Sequence, residues 1–156
     1  SDGIDVGSSV GVPTISGNTI NRAAGNAVYV SSSGIDFGKL NGNSGANNGM
    51  NGVVLTQNTV AVSSSLPWTG NLVPVLYSGC NTLTVPPGVW LTLGAGTVVK
   101  CHYNGCSYFD VQGSLVATGT AANPPAATAR GTRVPLLGRF SRGRQQAGTG
   151  HVNGPR

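Results

Sequence analysis

Glutamate does not occur in this chain of 156 residues, and its only acids are Asp2, Asp5, Asp36 and Asp110. That scarcity bears directly on chemistry. A glycoside hydrolase needs a pair of carboxylic acids, and a calcium-dependent polysaccharide lyase needs clustered carboxylates with a base beside them. Four acids scattered between positions 2 and 110 supply neither, so no catalytic residue, no metal ligand and no cofactor is assigned. Charge of any kind is sparse at 8% of residues, and the net +5 is unevenly placed. Residues 1–129 carry Arg22, Lys39 and Lys100 against the four aspartates, whereas residues 130–156 carry six arginines and no acid. The basicity belongs to a tail and not to a surface. No recognition motif or interleaved aromatics accompany those arginines, so specific nucleic-acid binding is not expected. Apolar runs long enough to span a membrane are missing too, as is any sustained helical periodicity. The chain starts without methionine or a signal-peptide core, in the middle of a pattern, and is expected to be a piece of something longer, a monomer or part of a longer chain.

What the chain has in abundance is glycine, at 25 residues, together with frequent asparagine. Both suit tight bends: glycine reaches positive φ, and asparagine can satisfy neighbouring backbone groups. Between the bends lie short apolar pairs one residue apart, Val10/Val12, Ile35/Phe37 and Val60/Val62, each pair 25 residues from the next. Other phrases keep the same step, such as Ile15-Ser16-Gly17-Asn18 with Leu40-Asn41-Gly42-Asn43. Val28/Val30 return as Val53/Leu55. In–out–in pairs at a fixed period of this length predict an all-β solenoid of stacked parallel strands, a parallel β-helix.

Four regions follow. Residues 1–62 hold coils of about 25 residues. Residues 63–80, with a serine run and two prolines, break the register and are expected to connect two portions of the stack. Residues 81–125 resume it through Leu83/Val85, Leu91/Leu93, Val99/Cys101, Phe109/Val111 and Leu115/Ala117; Val85 to Val111 is a step of 26 and Leu91 to Leu115 one of 24. Residues 126–156 are an Arg/Gly/Pro-rich tract without alternation, expected to be a disordered tail. Its composition is also that of GC-rich coding read out of frame.

The run from Thr82 to Lys100 (TLTVPPGVWLTLGAGTVVK) is similar to the T-h-P-x-G-x-x-L-T-h-x-x-G-T-V-h-K opening of bacterial right-handed parallel β-helix proteins of the pectin-lyase-like group. Phe109 to Pro124 (FDVQGSLVATGTAANP) resembles the V-x-G-x-L-x-A-x-G-T-x-x-x-P that follows it there. The resemblance covers about residues 1–124 and implies a right-handed coil and an extracellular or cell-surface location. The group includes lyases, hydrolases and adhesins. Two functions are therefore carried forward: a non-catalytic structural or adhesive segment of a large secreted or cell-surface protein, and a fragment of a carbohydrate-active enzyme whose acidic coils lie elsewhere. The lean is away from catalysis.

A few residues carry specific expectations. Trp90 neighbours inward Leu91 and so faces outward with Thr92; the two are candidate contacts for a polysaccharide or cell-surface glycan, and Trp68 is a third. Cys101 and Cys106 are open between a disulfide closing a short turn and stacked thiols, Cys80 being left over in the first case. Gly7-Ser8-Ser9-Val10-Gly11 matches G-x-S-x-G literally, but that motif needs a strand-to-helix elbow, and no helical pattern follows.

The tail generates a test. Six arginines with little apolar surface cannot offset an ordering cost of roughly 1–2 kcal/mol per residue. Limited trypsin digestion is expected to strip the chain back to about Arg130 while sparing Lys100. Rapid cutting at Lys100 beside a protected tail would reverse the assignment.

Overall fold

A computed structural model describes residues 1–9, 11–56, 58–66, 70–77, 82–101, 108–120, 122, 126–129, 132–135 and 138–146. The repeat of 25 residues translates directly into strand pairing. Asn26–Ser32 (β3) lies parallel to Met50–Leu55 (β5), with Val28 opposite Val53 and Val30 opposite Leu55. Ile4–Ser9 (β1) covers β3 one residue short of that step, Ile4 facing Val28. Thr19–Asn21 (β2) and Ser44–Ala46 (β4) form a second face in the 25-residue register, Thr19 opposite Ser44. The remaining coils contribute Ser64–Leu66 (β6), Pro74–Leu76 (β7), Thr82–Val85 (β8), Trp90–Leu93 (β9), Val98–Cys101 (β10) and Tyr108–Ala117 (β11). One face then reads β1-β3-β5-β7-β10 in space; on another, β11 takes β8 beside its first half and β9 beside its second, with β6 beyond β9. The protein is an all-β parallel solenoid of about four turns. Among the described residues the one helical element is a single 3-10 turn at Phe37–Lys39, so no helix is long and apolar enough to cross a membrane.

Inward residues of successive rungs stack into one core. Ile35 bridges Val60, Val85 pairs with Val111 and Leu91 with Leu115, and all six are buried. Each such aliphatic contributes roughly 1.5–3 kcal/mol on burial. Ile15 and Leu40 join the core from bends, with the Ile15 amide donating to the Lys39 carbonyl at 2.8 Å.

The corners are held largely by asparagine. Asn43 is fully buried, and its carboxamide makes four hydrogen bonds. Nδ2 donates to the carbonyls of Ile15 and Leu40, both at 2.7 Å, and Oδ1 accepts from Asn18 N at 3.1 Å and Asn18 Nδ2 at 3.0 Å. Asn48 repeats the device: Oδ1 accepts from Ala23 N at 2.8 Å, while Nδ2 donates to the Ile20 carbonyl at 2.9 Å. Asn71 bonds both backbone groups of Gly45. Buried backbone groups need partners, and where a bend interrupts the ladder these side chains provide them.

The structure differs from the sequence reading in three places. Within residues 63–80, expected as a connection, the described residues include two strands of the stack, β6 and β7. β7 sits between β5 and β10, pairing Leu55 with Leu76 and Leu76 with Cys101, and β6 pairs with β9. Pro74 opens β7, the strand position where a missing N–H is tolerated. Second, Phe37 and Val62 are not equivalent: Phe37 is buried, whereas Val62 is 44% exposed. Asp36 caps the 3-10 turn, its Oδ1 accepting from Gly38 N at 2.9 Å, and the chain leaves strand geometry straight after Ile35. Third, part of the expected tail has strand backbone. Ala126–Ala129 (β12) lies parallel along β10, with Thr132–Pro135 (β13) antiparallel to it and Gly138–Gln146 (β14) antiparallel to β11. An open strand edge presents unpaired backbone groups to any nearby segment, which accounts for such pairing without an apolar pattern. Residues 147–156, and Val10 of the first apolar pair, lie outside the described residues.

Replacing Asn43 by leucine orphans two carbonyls and a backbone amide inside the stack, and should cost about 3 kcal/mol. Asn18→Ala removes one partly exposed donor and should cost about 1 kcal/mol. Urea denaturation of the two variants measures the difference, and equal losses would show that the buried corner is not held as described.

Candidate functional site

Trp90 opens β9, its amide donating to Ser63 Oγ at 3.0 Å, and its side chain is 46% exposed. Inward Leu91 and Leu93 anchor the strand in the core, so pleating turns Trp90 and Thr92 to the outside. The next rung completes the surface. Ser114 stands opposite Trp90 and Val116 opposite Thr92. Together with Gln112 and the Pro87–Val89 bend they line a groove of about 450 Å³ on the outer face.

Two backbone features shape this groove. At its edge, the Val89 amide donates to the Pro86 carbonyl at 3.1 Å, closing a four-residue turn with Gly88 at φ +81°. Proline followed by a positive-φ glycine is the type II arrangement, so Pro86-Pro87-Gly88-Val89 encodes its own bend. On the other rung, Gly113 passes so close to this turn that a Cβ there would collide with the carbonyl oxygens of Pro86 and Val89. The Ser114 amide meanwhile donates to the Val89 carbonyl at 3.0 Å. The polar groups of the groove are short and neutral. Gln112 Nε2 donates to Asp110 Oδ2 at 3.0 Å, which orients the amide along the outer surface of β11.

The groove offers an aromatic face with hydroxyl and amide groups around it, which combines a stacking surface with neutral hydrogen-bonding groups. Its described lining holds no pair of carboxylic acids. The other aspartates serve the backbone or lie elsewhere: Asp2 Oδ1 accepts from Asn26 N at 2.6 Å and Asp36 caps the 3-10 turn. Among the described residues no three His, Cys, Asp or Glu side chains gather into a group. Ser9 of the G-x-S-x-G match ends strand β1, and the next described element is strand β2.

Of the residues singled out in the sequence, Trp90 and Thr92 thus come together in one groove. Trp68 and Cys106 lie outside the described residues, as does Cys80, and Cys101 is described only as the last backbone position of β10. Sequence reasoning missed Gln112, Ser114 and Val116. The signal was present: the step of 24 from Leu91 to Leu115 carries Trp90 onto Ser114 and Thr92 onto Val116. No protein-family model, curated protein or solved structure matches the chain.

The two glycines separate experimentally. Gly113→Ala forces backbone against backbone and should lose roughly 1–3 kcal/mol. A Cβ on Gly88 meets nothing within 4 Å. Gly88→Ala should therefore lose only the strain of positive φ, about 1 kcal/mol. Thermal unfolding should rank Gly113→Ala below Gly88→Ala, and the reverse order would contradict the packing of β11 on the turn.

Proposed function

We propose that this chain is a non-catalytic structural or adhesive segment of a large secreted or cell-surface β-helix protein, and that the Trp90 groove is a glycan contact on its outer wall. The observation that carries the proposal is the exposed indole of Trp90, set in a groove with Thr92 and Gln112 on a rigid sheet. Pyranose rings present an apolar C–H face that stacks on an aromatic, while their hydroxyls exchange hydrogen bonds with short neutral side chains. A solenoid supports such a contact well, because each rung is fixed by its neighbours and little order must be gained on binding. The resemblance of Thr82–Lys100 and Phe109–Pro124 to pectin-lyase-like β-helix proteins supports the same setting. The scarcity of acids weighs towards attachment and against cleavage.

Intrinsic fluorescence follows the groove, since the chain has two tryptophans. Soluble polysaccharides, neutral and uronate, should shift the emission of the native chain. Trp90→Ala should weaken binding roughly tenfold, the loss of one stacking contact of about 1–1.5 kcal/mol, without changing circular dichroism. Binding left intact in Trp90→Ala would defeat the proposal. So would release of shortened or unsaturated sugars, which would mark an enzyme.

A further inference from the structure

Asparagine followed by glycine occurs three times among the described residues, and the coil treats the three differently. At Asn48-Gly49 the carboxamide is fully engaged, with Oδ1 accepting from Ala23 N and Nδ2 donating to Ile20 O and Asn51 Oδ1. The Gly49 amide itself donates to the Ala23 carbonyl at 2.9 Å. At Asn51-Gly52 both residues lie inside strand β5, between β3 and β7, and Asn51 Oδ1 accepts from Asn48 N at 3.1 Å and Asn48 Nδ2 at 2.9 Å. Asn41-Gly42 is a bend. There the Gly42 amide is directed at the side chain of its own predecessor, N to Asn41 Oδ1 at 2.8 Å, and Gly42 has φ +77°.

We propose that Asn41-Gly42 is a site of spontaneous deamidation, and that the fold protects Asn48-Gly49 and Asn51-Gly52. The step is an intramolecular displacement. Hydroxide removes the Gly42 amide proton, and the nitrogen lone pair forms a bond to Asn41 Cγ. The Cγ–Nδ2 bond breaks, and the departing nitrogen takes a proton from water and leaves as ammonia. The product is a five-membered cyclic imide. Water then adds to one of its two carbonyl carbons and breaks the C–N bond there. Opening at the side-chain carbonyl leaves aspartate; opening at the main-chain carbonyl leaves isoaspartate, with the chain running through Cβ. No oxidant or reductant takes part.

The geometry bears on each requirement. Attack needs the amide nitrogen and the carboxamide close together, and at Asn41 they already touch; such proximity is what makes an intramolecular step fast. Ring closure also needs the asparagine to leave extended geometry. A bend permits that, while Asn51 is restrained by the two bonds from Asn48 to its Oδ1 and by the close packing of Gly52 against Val75 of β7. Gly49 would first have to give up its bond to Ala23. The outcome is a new negative charge at a corner two residues from buried Asn43, and in the isoaspartate form a longer main chain there.

The test uses the full chain, held folded in mildly alkaline buffer and, in parallel, unfolded in concentrated urea. Peptide mapping by tandem mass spectrometry reads the conversion of Asn41, Asn48 and Asn51 to aspartate or isoaspartate. In the folded chain conversion at Asn41 should exceed that at the other two by on the order of tenfold, because they must await local opening. It should accelerate with pH, and the three should converge in urea. Asn41→Ser should abolish the early isoaspartate signal. Equal conversion at all three sites in the folded chain would overturn the proposal. Faster conversion at Asn48 or Asn51 would do the same, as would an unchanged Asn41 in folded protein that converts in urea.

Discussion

Every coil of a solenoid has to turn its corners without leaving a buried peptide group unpaired. Strands solve this along the flat faces, where each N–H and C=O finds the rung above or below. At the bends the ladder lapses, and asparagine takes over because its side chain carries both a donor and an acceptor at the length of a peptide group. Asn43 is the fullest case, bonded to the Ile15 and Leu40 carbonyls and to Asn18 of the coil above. The core could be assembled from many aliphatic residues of similar size, whereas the corners could not. The asparagine content is therefore a demand of the architecture as much as of the surface.

The same geometry explains where a ligand contact can arise. Inward positions are committed to the stack, so chemistry is left to alternate outward residues and to the bends between strands. On the β9–β11 wall an indole, a threonine and a glutamine line one groove across two rungs, beside a turn whose Pro87 lines it too. Gly113 keeps the wall thin enough for the turn to pack against it. Rigidity is inherited from the core, since Leu91, Leu93 and Leu115 lie directly beneath these residues.

Much of this was legible in the sequence because the solenoid is periodic. The pairing of Val28 with Val53, of Ile35 with Val60 and of Leu91 with Leu115 follows from spacing alone, and so does the outward direction of Trp90. Legibility failed where local chemistry overrode the period. Asp36 pulls Phe37 into a 3-10 turn, so the pair Ile35/Phe37 is not a strand like its apparent copy. Pro74 suggested a break, yet its place at the start of β7 spares the ladder. Gln112 and Ser114 went unnoticed because short polar residues carry no signal until the rung opposite Trp90 is fixed.

The coil length is not constant even within one turn. From Leu55 to Leu76 the step is 21 residues, from Thr59 to Thr84 it is 25, and from Leu66 to Leu93 it is 27. Apart from one-residue register shifts in the β1–β3 and β3–β5 pairings, the paired parallel strands stay aligned, so most of the slack resides in the bends. Such a gene can gain or lose whole codons at its corners while the stack below remains aligned. Insertion and deletion, which are ruinous in most β-sheets, become in this architecture an ordinary route of variation. They can change what the wall displays without touching what holds it up.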